Sequence, residues 1–368
     1  MTEPEIIAAL RLQNIPNIGD LTAKKLIANC GSPTAIFEDK LHHLLKIDGI
    51  GKMTLKGLFD PVYLEEAQQE YEFLSQKDIT VSYFMDENYP ERLKHCLDGP
   101  ILLFQQGNIN LKQQKIISVV GTRNVTSYGS SFAQQFIAEL APLNPVIVSG
   151  LAYGVDITVQ KAAMEHGLQT IACMAHGLNQ IYPKAHAKYQ SKMEANGGFL
   201  TEFWSTSQPN RENFLKRNRI IAGISEATIV IESAEKGGSL VTADLAHGYH
   251  REVFAVPGRA TDKWSKGCND LIKYQKAHLL TSAAELIYLL GWQIEEEKQE
   301  KTVQKQLFVE LDETEQSIYS YLQLNGKQLL DTVALECKLP IFKVSSTLVQ
   351  MEMKGVVRPL PGKLFEAV

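Results

Sequence analysis

Nowhere in this chain do roughly 18 apolar residues run together, the length a helix needs to cross a bilayer, so the sequence offers no helical membrane span. Cysteine is scarce: five in 368 residues, at Cys30, Cys96, Cys173, Cys268 and Cys337. None forms a C-x-x-C pair or joins a Cys/His cluster, which argues against structural zinc and a disulfide framework and leaves reduced, buried thiols as the expectation. No metal or cofactor is expected. The opening MTEPEIIAAL has no basic stretch ahead of an apolar one, so a cytoplasmic protein with no membrane partner is expected. Positive charge is not in excess either. With a net charge of −5, any nucleic-acid surface must be local.

Two phosphate-loop signatures are also missing. Neither a full G-x-G-x-x-G nor G-x-x-x-x-G-K-[ST] occurs, which removes the standard dinucleotide site and the Walker-type nucleotidase. No Ser-His-Asp or Cys-His arrangement has support, since Cys173 falls inside a predicted strand. Glu202, Glu232, Asp156 and His176 stand near strand ends, so a paired-carboxylate hydrolase is conceivable. Lone acids at such places more often accept loop N–H bonds.

What is present is ordinary globular composition, 44% hydrophobic and 21% charged, in a chain long enough for two or three domains. The first sixty residues read as helical and hold one pattern twice, IPNIGDLTAKKLI (15–27) and IDGIGKMTLKGLF (47–59). Each sets a glycine before a short lysine-bearing helix, where free N–H groups could seat a phosphate. This resembles the helix-hairpin-helix of sequence-independent DNA binders, and a plain helical packing domain is the other reading. A helix over 64–76 and strands over 79–84 and 101–104 follow.

From Lys115 the rhythm becomes strand, glycine turn, helix. KIISVVGTR, PVIVSG, QTIACMAHG, GFLTEF, ATIVIESAEKGGSL and EVFAVPG each end a buried strand, with helices between them near 127–140 and 155–166. That alternation predicts an α/β fold with a doubly wound, mostly parallel sheet, whose strand C-termini line the ligand crevice. Gly121, Thr122 and Arg123 supply close backbone approach, a hydroxyl and a fixed charge at a helix start, a phosphate cradle. Gly150 ends the next strand. Gly237, Gly238 and Ser239 open a helix and present N–H groups to an anion, or simply start it. Arg211, Lys216, Arg217 and Arg219 against Glu212 give a local charge of 4 − 1 = +3 over nine residues. At helical spacing Lys216 and Arg219 share a face and Arg217 turns away. Asn218 between the arginines can reach a phosphate, a base or the backbone.

The motifs GTRNVTSYG, SGLAYGVD, GLNQIYPKAH, RNRIIAGIS, GGSLVTADLA and VFAVPG, in this order over roughly 80–290, resemble the DNA-processing protein A (Smf) family. The resemblance implies an extended Rossmann-like core that is not an enzyme, binds single-stranded DNA more strongly than duplex, forms a homodimer and loads RecA in natural transformation. Carried over by position, the DNA pocket would use Arg123, Lys184 after Tyr182-Pro183, Arg217, Asn218, Arg219 and the loop from Gly237 to Ser239. Leu215-Lys216 stands where many members have a proline-containing pair, and Gly237 replaces a serine. Two rivals keep the fold: a Rossmann-type phosphoribohydrolase, against which EKGGSLVTAD has Asp244 where a catalytic glutamate is needed, and a winged-helix regulator of specific duplex sites.

The expected layout is a helix-hairpin-helix-like domain over 1–65, the Rossmann-like domain over 66–291, a charged linker over 292–308 and a winged helix over 309–368. In the last, three amphipathic helices near 313–324, 329–337 and 341–354 precede a hairpin. The third stands in the recognition position but offers only Lys343 and Lys354 against Glu352. DNA binding and a protein-interaction role both stay open there.

Overall fold

The computed structural model describes residues 1–113, 115–292, 311–360 and 364–368. The chain divides into two compact units, Met1–Ile294 and Glu295–Val368. All of the linker expected over 292–308 except Trp292 lies outside the described residues.

Nine strands build the sheet of the first unit: β1 (Thr80–Tyr83), β2 (Leu102–Asn108), β3 (Ile116–Gly121), β4 (Val146–Ser149), β5 (Thr170–Cys173), β6 (Gly197–Thr201), β7 (Ala227–Ile231), β8 (Glu252–Ala255) and β9 (His278–Leu279). They lie in the order β1-β2-β6-β5-β4-β3-β7-β8-β9. From β6 to β9 every pairing is parallel, while β1 and β2 form an antiparallel edge on β6. The parallel strands read as continuous apolar runs because both faces are covered. Along β3, Ile116 and Val120 enter one core while Ile117 and Val119 enter the other, the alternation a pleated strand imposes.

From β3 the chain steps outward through β4, β5 and β6, then returns to place β7 on β3's other side. The reversal point between β3 and β7 is where such sheets open a crevice. The helix Ser127–Leu140 leaves β3 beside it, with Thr126 Oγ1 accepting from Gly129 N at 3.2 Å. Thr126 also donates its N–H to Glu232 at 2.8 Å and its hydroxyl to the same carboxylate. Thr126→Ala is expected to lower stability by about 1–2 kcal/mol, the upper range for a lost N-cap; urea unfolding that shows no shift would exclude this role.

The break expected near residue 65 is not a break in the core. Leu10, Leu26 and Leu58 from the N-terminal helices share one apolar cluster with Leu102 and Phe104 of β2. A half-covered antiparallel edge needs such a lid. In the first glycine repeat, Gly19 precedes the helix Asp20–Cys30 as expected. The second repeat carries turns over 52–59 and no helix. Gly57 there holds φ +84°, a left-handed conformation that interrupts any helix across the repeat.

The second unit has helices Glu313–Asn325, Leu330–Glu336 and Ile341–Met353, with three short strands, Gln328–Leu329, Val357–Leu360 and Leu364–Ala367, in one antiparallel sheet. Ile318, Val333, Val344, Leu348 and Met351 fill its core, the winged-helix arrangement. Asp312 and Glu315 form a reciprocal cap on the first helix. The third helix exposes Phe342, Val349 and Met353, and its Lys354 pairs with Glu315 at 2.6 Å. The turn of the closing hairpin, at Pro361-Gly362, lies outside the described residues.

Candidate nucleic-acid interface

A crevice of about 600 Å³ opens at the reversal point. Most of its lining comes from the turn after β3, the loop after β7, and the helix Arg211–Ile224 that precedes β7, with Ala152 and Asp156 after β4 and Trp264 after β8 completing it. Asn210 starts that helix, its side chain accepting from Asn213 N at 2.8 Å. Of the residues selected from the sequence, Gly121, Thr122 and Arg123, Arg217 and Asn218, and Gly237, Gly238 and Ser239 all line this crevice. Gly121 is required by geometry, because a Cβ there would strike the carbonyl of Ile231 and the side chain of Val155.

Arg217 is buried and fixed. Its Nη1 donates to the carbonyl of Cys173 at 2.6 Å, and its guanidinium lies against Gly150, where a Cβ would collide with it. Asp156, nearby, accepts from Gly150 N at 3.1 Å and Ala152 N at 3.4 Å. Burial pushes the Asp156 carboxyl up, and the Arg217 charge pulls it back. Arg123, by contrast, is exposed. Both guanidinium groups sit over the ring of Phe214, at 5.3 Å for Arg123 and 5.7 Å for Arg217.

Four selected residues lie elsewhere. Gly150 makes room for Arg217 without lining the crevice. Lys184 starts a short turn, Lys184–Tyr189, and is exposed outside the crevice. Lys216 and Arg219 point to the far side of their helix, as their spacing from Arg217 predicts. There Arg219 Nη2 pairs with Glu202 and, at 2.9 Å, with Asp20, while Lys216 reaches Glu202 at 2.9 Å. Burial works against the Arg219 charge, but the two carboxylates more than offset it and hold its pKa above the usual guanidinium range. Arg219 is therefore a structural cation, 8% exposed and already paired.

Arg211 of the basic cluster also lines the crevice, although the resemblance did not place it in the pocket, and Phe214, Lys236 and Trp264 line it without any signal taken from the sequence. Phe214 stands three residues before Arg217, a spacing that puts both on one helix face and was the available signal. Counting Arg123, Arg211, Arg217 and Lys236 against Asp156, the crevice carries 4 − 1 = +3 in a chain of net −5.

The remaining acids are committed. Glu202 is in the ion cluster and Glu232 accepts from both the N–H and the hydroxyl of Thr126, the cap of a helix. Buried His176 has its Nδ1 at 2.8 Å from the carbonyl of Gly177. Asp244 lies outside the crevice and pairs with Lys276 at 3.0 Å. Burial also raises the Cys173 thiol to about 12, which leaves it a poor nucleophile.

Residues 80–291 match the family described as DNA recombination-mediator protein A, and residues 305–363 match the DprA winged helix domain. The chain belongs to the DNA-processing protein A family. It is 36% identical to the DNA processing protein DprA of Streptococcus pneumoniae over 203 residues, 55% of this chain and 71% of that one. To the protein Smf of Escherichia coli it is 34% identical over 291 residues, 75% of this chain and 74% of that one. Among solved structures, DprA from Streptococcus pneumoniae superimposes with TM-score 0.64 at 30% identity, covering 78% of this chain and 98% of that chain. DprA from Helicobacter pylori, described for its single-stranded DNA binding mode, gives TM-score 0.53 at 30% identity over 59% and 97%. No helix among the described residues is long and apolar enough to cross a membrane.

Proposed function

We propose that this chain binds single-stranded DNA in the crevice, without chemistry on it, and serves as a DNA-processing protein that hands the strand to a RecA-type recombinase. The observation that carries the reading is the pairing of Arg123 and Arg217 across one aromatic ring, Phe214, within a pocket of charge +3. Arginine forks meet phosphates, and aromatic faces accept bases only where these are unpaired. The Helicobacter pylori relative, described for its single-stranded DNA binding mode, supports the same ligand here. Among the described residues Asp156 is the one carboxylate lining the crevice, and it is held by Gly150 and Ala152 N–H groups, so no second acid of the pair a glycosidic hydrolase uses stands beside it there.

A fluorescence anisotropy titration with unstructured oligo-dT tests this. Tight binding should weaken steeply with salt, and Arg123→Ala should reduce affinity about tenfold while lowering the salt slope by about 0.7, one phosphate contact on a single strand. Wild-type binding by the variant would sink the proposal. So would release of free base from a nucleoside monophosphate, which would favour the hydrolase.

A further inference from the structure

A second depression, of about 570 Å³, adjoins the crevice. Both are lined by Ala234 and Lys236. Trp264 faces the crevice, while its chain neighbours Lys263 and Lys266 line the second depression. We propose that a single strand seated in the crevice leaves it over Lys236 and crosses this depression, its phosphates meeting Lys263 and Lys266 and one base stacking on Trp264. The inference rests on the crevice reading and gives the bound strand a direction and a longer footprint.

The loop that presents these groups is built to hold still. Asn269 bonds both the N–H and the carbonyl of Gly258, at 3.1 and 3.0 Å. Gly258 must lack a side chain, since a Cβ would run into Ser265. The Asp262 carboxylate accepts from Trp264 N at 3.0 Å and Ser265 Oγ at 3.2 Å, so this acid fixes the backbone of the turn that carries the tryptophan. Lys263 Nζ lies over the Trp264 ring, 5.0 Å from its centre, a cation at an aromatic face that an incoming base and phosphate can take over, the combination single-strand channels use.

Lys236, Lys263 and Lys266 against Glu235 and Asp262 give 3 − 2 = +1. The Lys266–Asp270 pair, 2.9 Å apart on an exposed helix turn, is of the weak kind that a phosphate can replace. This depression suits a strand in transit, and the +3 crevice suits its anchor.

The test uses the full chain with oligo-dT of about 5 and about 15 nucleotides, near the short and long ends of single-strand site sizes. Lys263→Ala with Lys266→Ala should lose roughly tenfold affinity for the longer oligonucleotide, and the salt slope for that length alone should fall by about 1.4, two contacts at roughly 0.7 each. The short oligonucleotide should bind as to wild type. The longer one should also quench tryptophan fluorescence, and Trp264→Phe should remove that quenching, because the indoles of Trp204 and Trp292 are bonded to Gln13 and Glu226 away from the path. Equal losses for both lengths, no loss for the longer one, or quenching that survives in Trp264→Phe would overturn the path. If the wild type binds neither length, the crevice reading falls and the path falls with it.

Discussion

Arg219→Met is expected to lower the unfolding free energy by about 3–5 kcal/mol, the range seen when one partner of a buried ion pair is removed. The side chain of Glu202 is fully enclosed, and Arg219 and half-exposed Lys216 are its cationic partners. Methionine fills the arginine's volume but leaves this carboxylate and that of Asp20 without their shared guanidinium. The same cluster ties the N-terminal helices to the sheet, since Asp20 starts the helix Asp20–Cys30 and also accepts from Ile101 N at 3.0 Å. Chemical denaturation should show the loss in the transition midpoint.

The loss should also depend on pH in a definite direction. Burial raises the Glu202 pKa above its unfolded value, while Arg219 and then Lys216 pull it down. A carboxyl with a raised folded pKa takes up protons on folding, so its contribution to stability is fullest in acid and fades as pH rises through the folded value. Removing Arg219 raises that value further. The deficit of the variant should therefore widen between about pH 4 and pH 7, the region above an ordinary carboxylate pKa. A deficit that stays constant across this range would mean that lost packing, and not the unpaired charge, is responsible.

This cluster marks the boundary of what the sequence could tell. The sheet was readable because each parallel strand is buried on both faces and ends in a turn at a crevice or core, so apolar runs and their stops map directly onto β3 to β8. The angular split of Lys216 and Arg219 from Arg217 was readable from helical spacing alone. Which side met the crevice was not, because the partner that claims Arg219 lies 199 residues away at Asp20. Basic residues near a motif look alike in one dimension, and only tertiary pairing separates a buried structural cation from one that lines a pocket. Gly150 shows the same limit: its position at a strand end suggested ligand contact, whereas its missing Cβ is what Arg217 occupies.

That last contact gives the largest expected effect on binding. Arg217→Met should reduce oligo-dT affinity roughly 10- to 100-fold, since a charge-assisted hydrogen bond contributes about 1.5–3 kcal/mol and each 1.4 kcal/mol is tenfold. Gly150→Ala should approach that loss while every charge stays in place. Its new methyl would enter the space of the Arg217 guanidinium, whose donation to Cys173 holds it by the Phe214 ring that it shares with Arg123. Arg217 can move only by abandoning the Cys173 carbonyl, which leaves a buried acceptor unpaired and displaces the fork from any phosphate it holds. Thermal midpoints of both variants show how much of the change is folding, where overpacking costs about 1–3 kcal/mol. Gly150→Ala protein that is folded and binds with wild-type affinity would show that the position of Arg217 does not matter to the ligand, and the anchor would then have to be sought in Arg123, Arg211 and Lys236 alone.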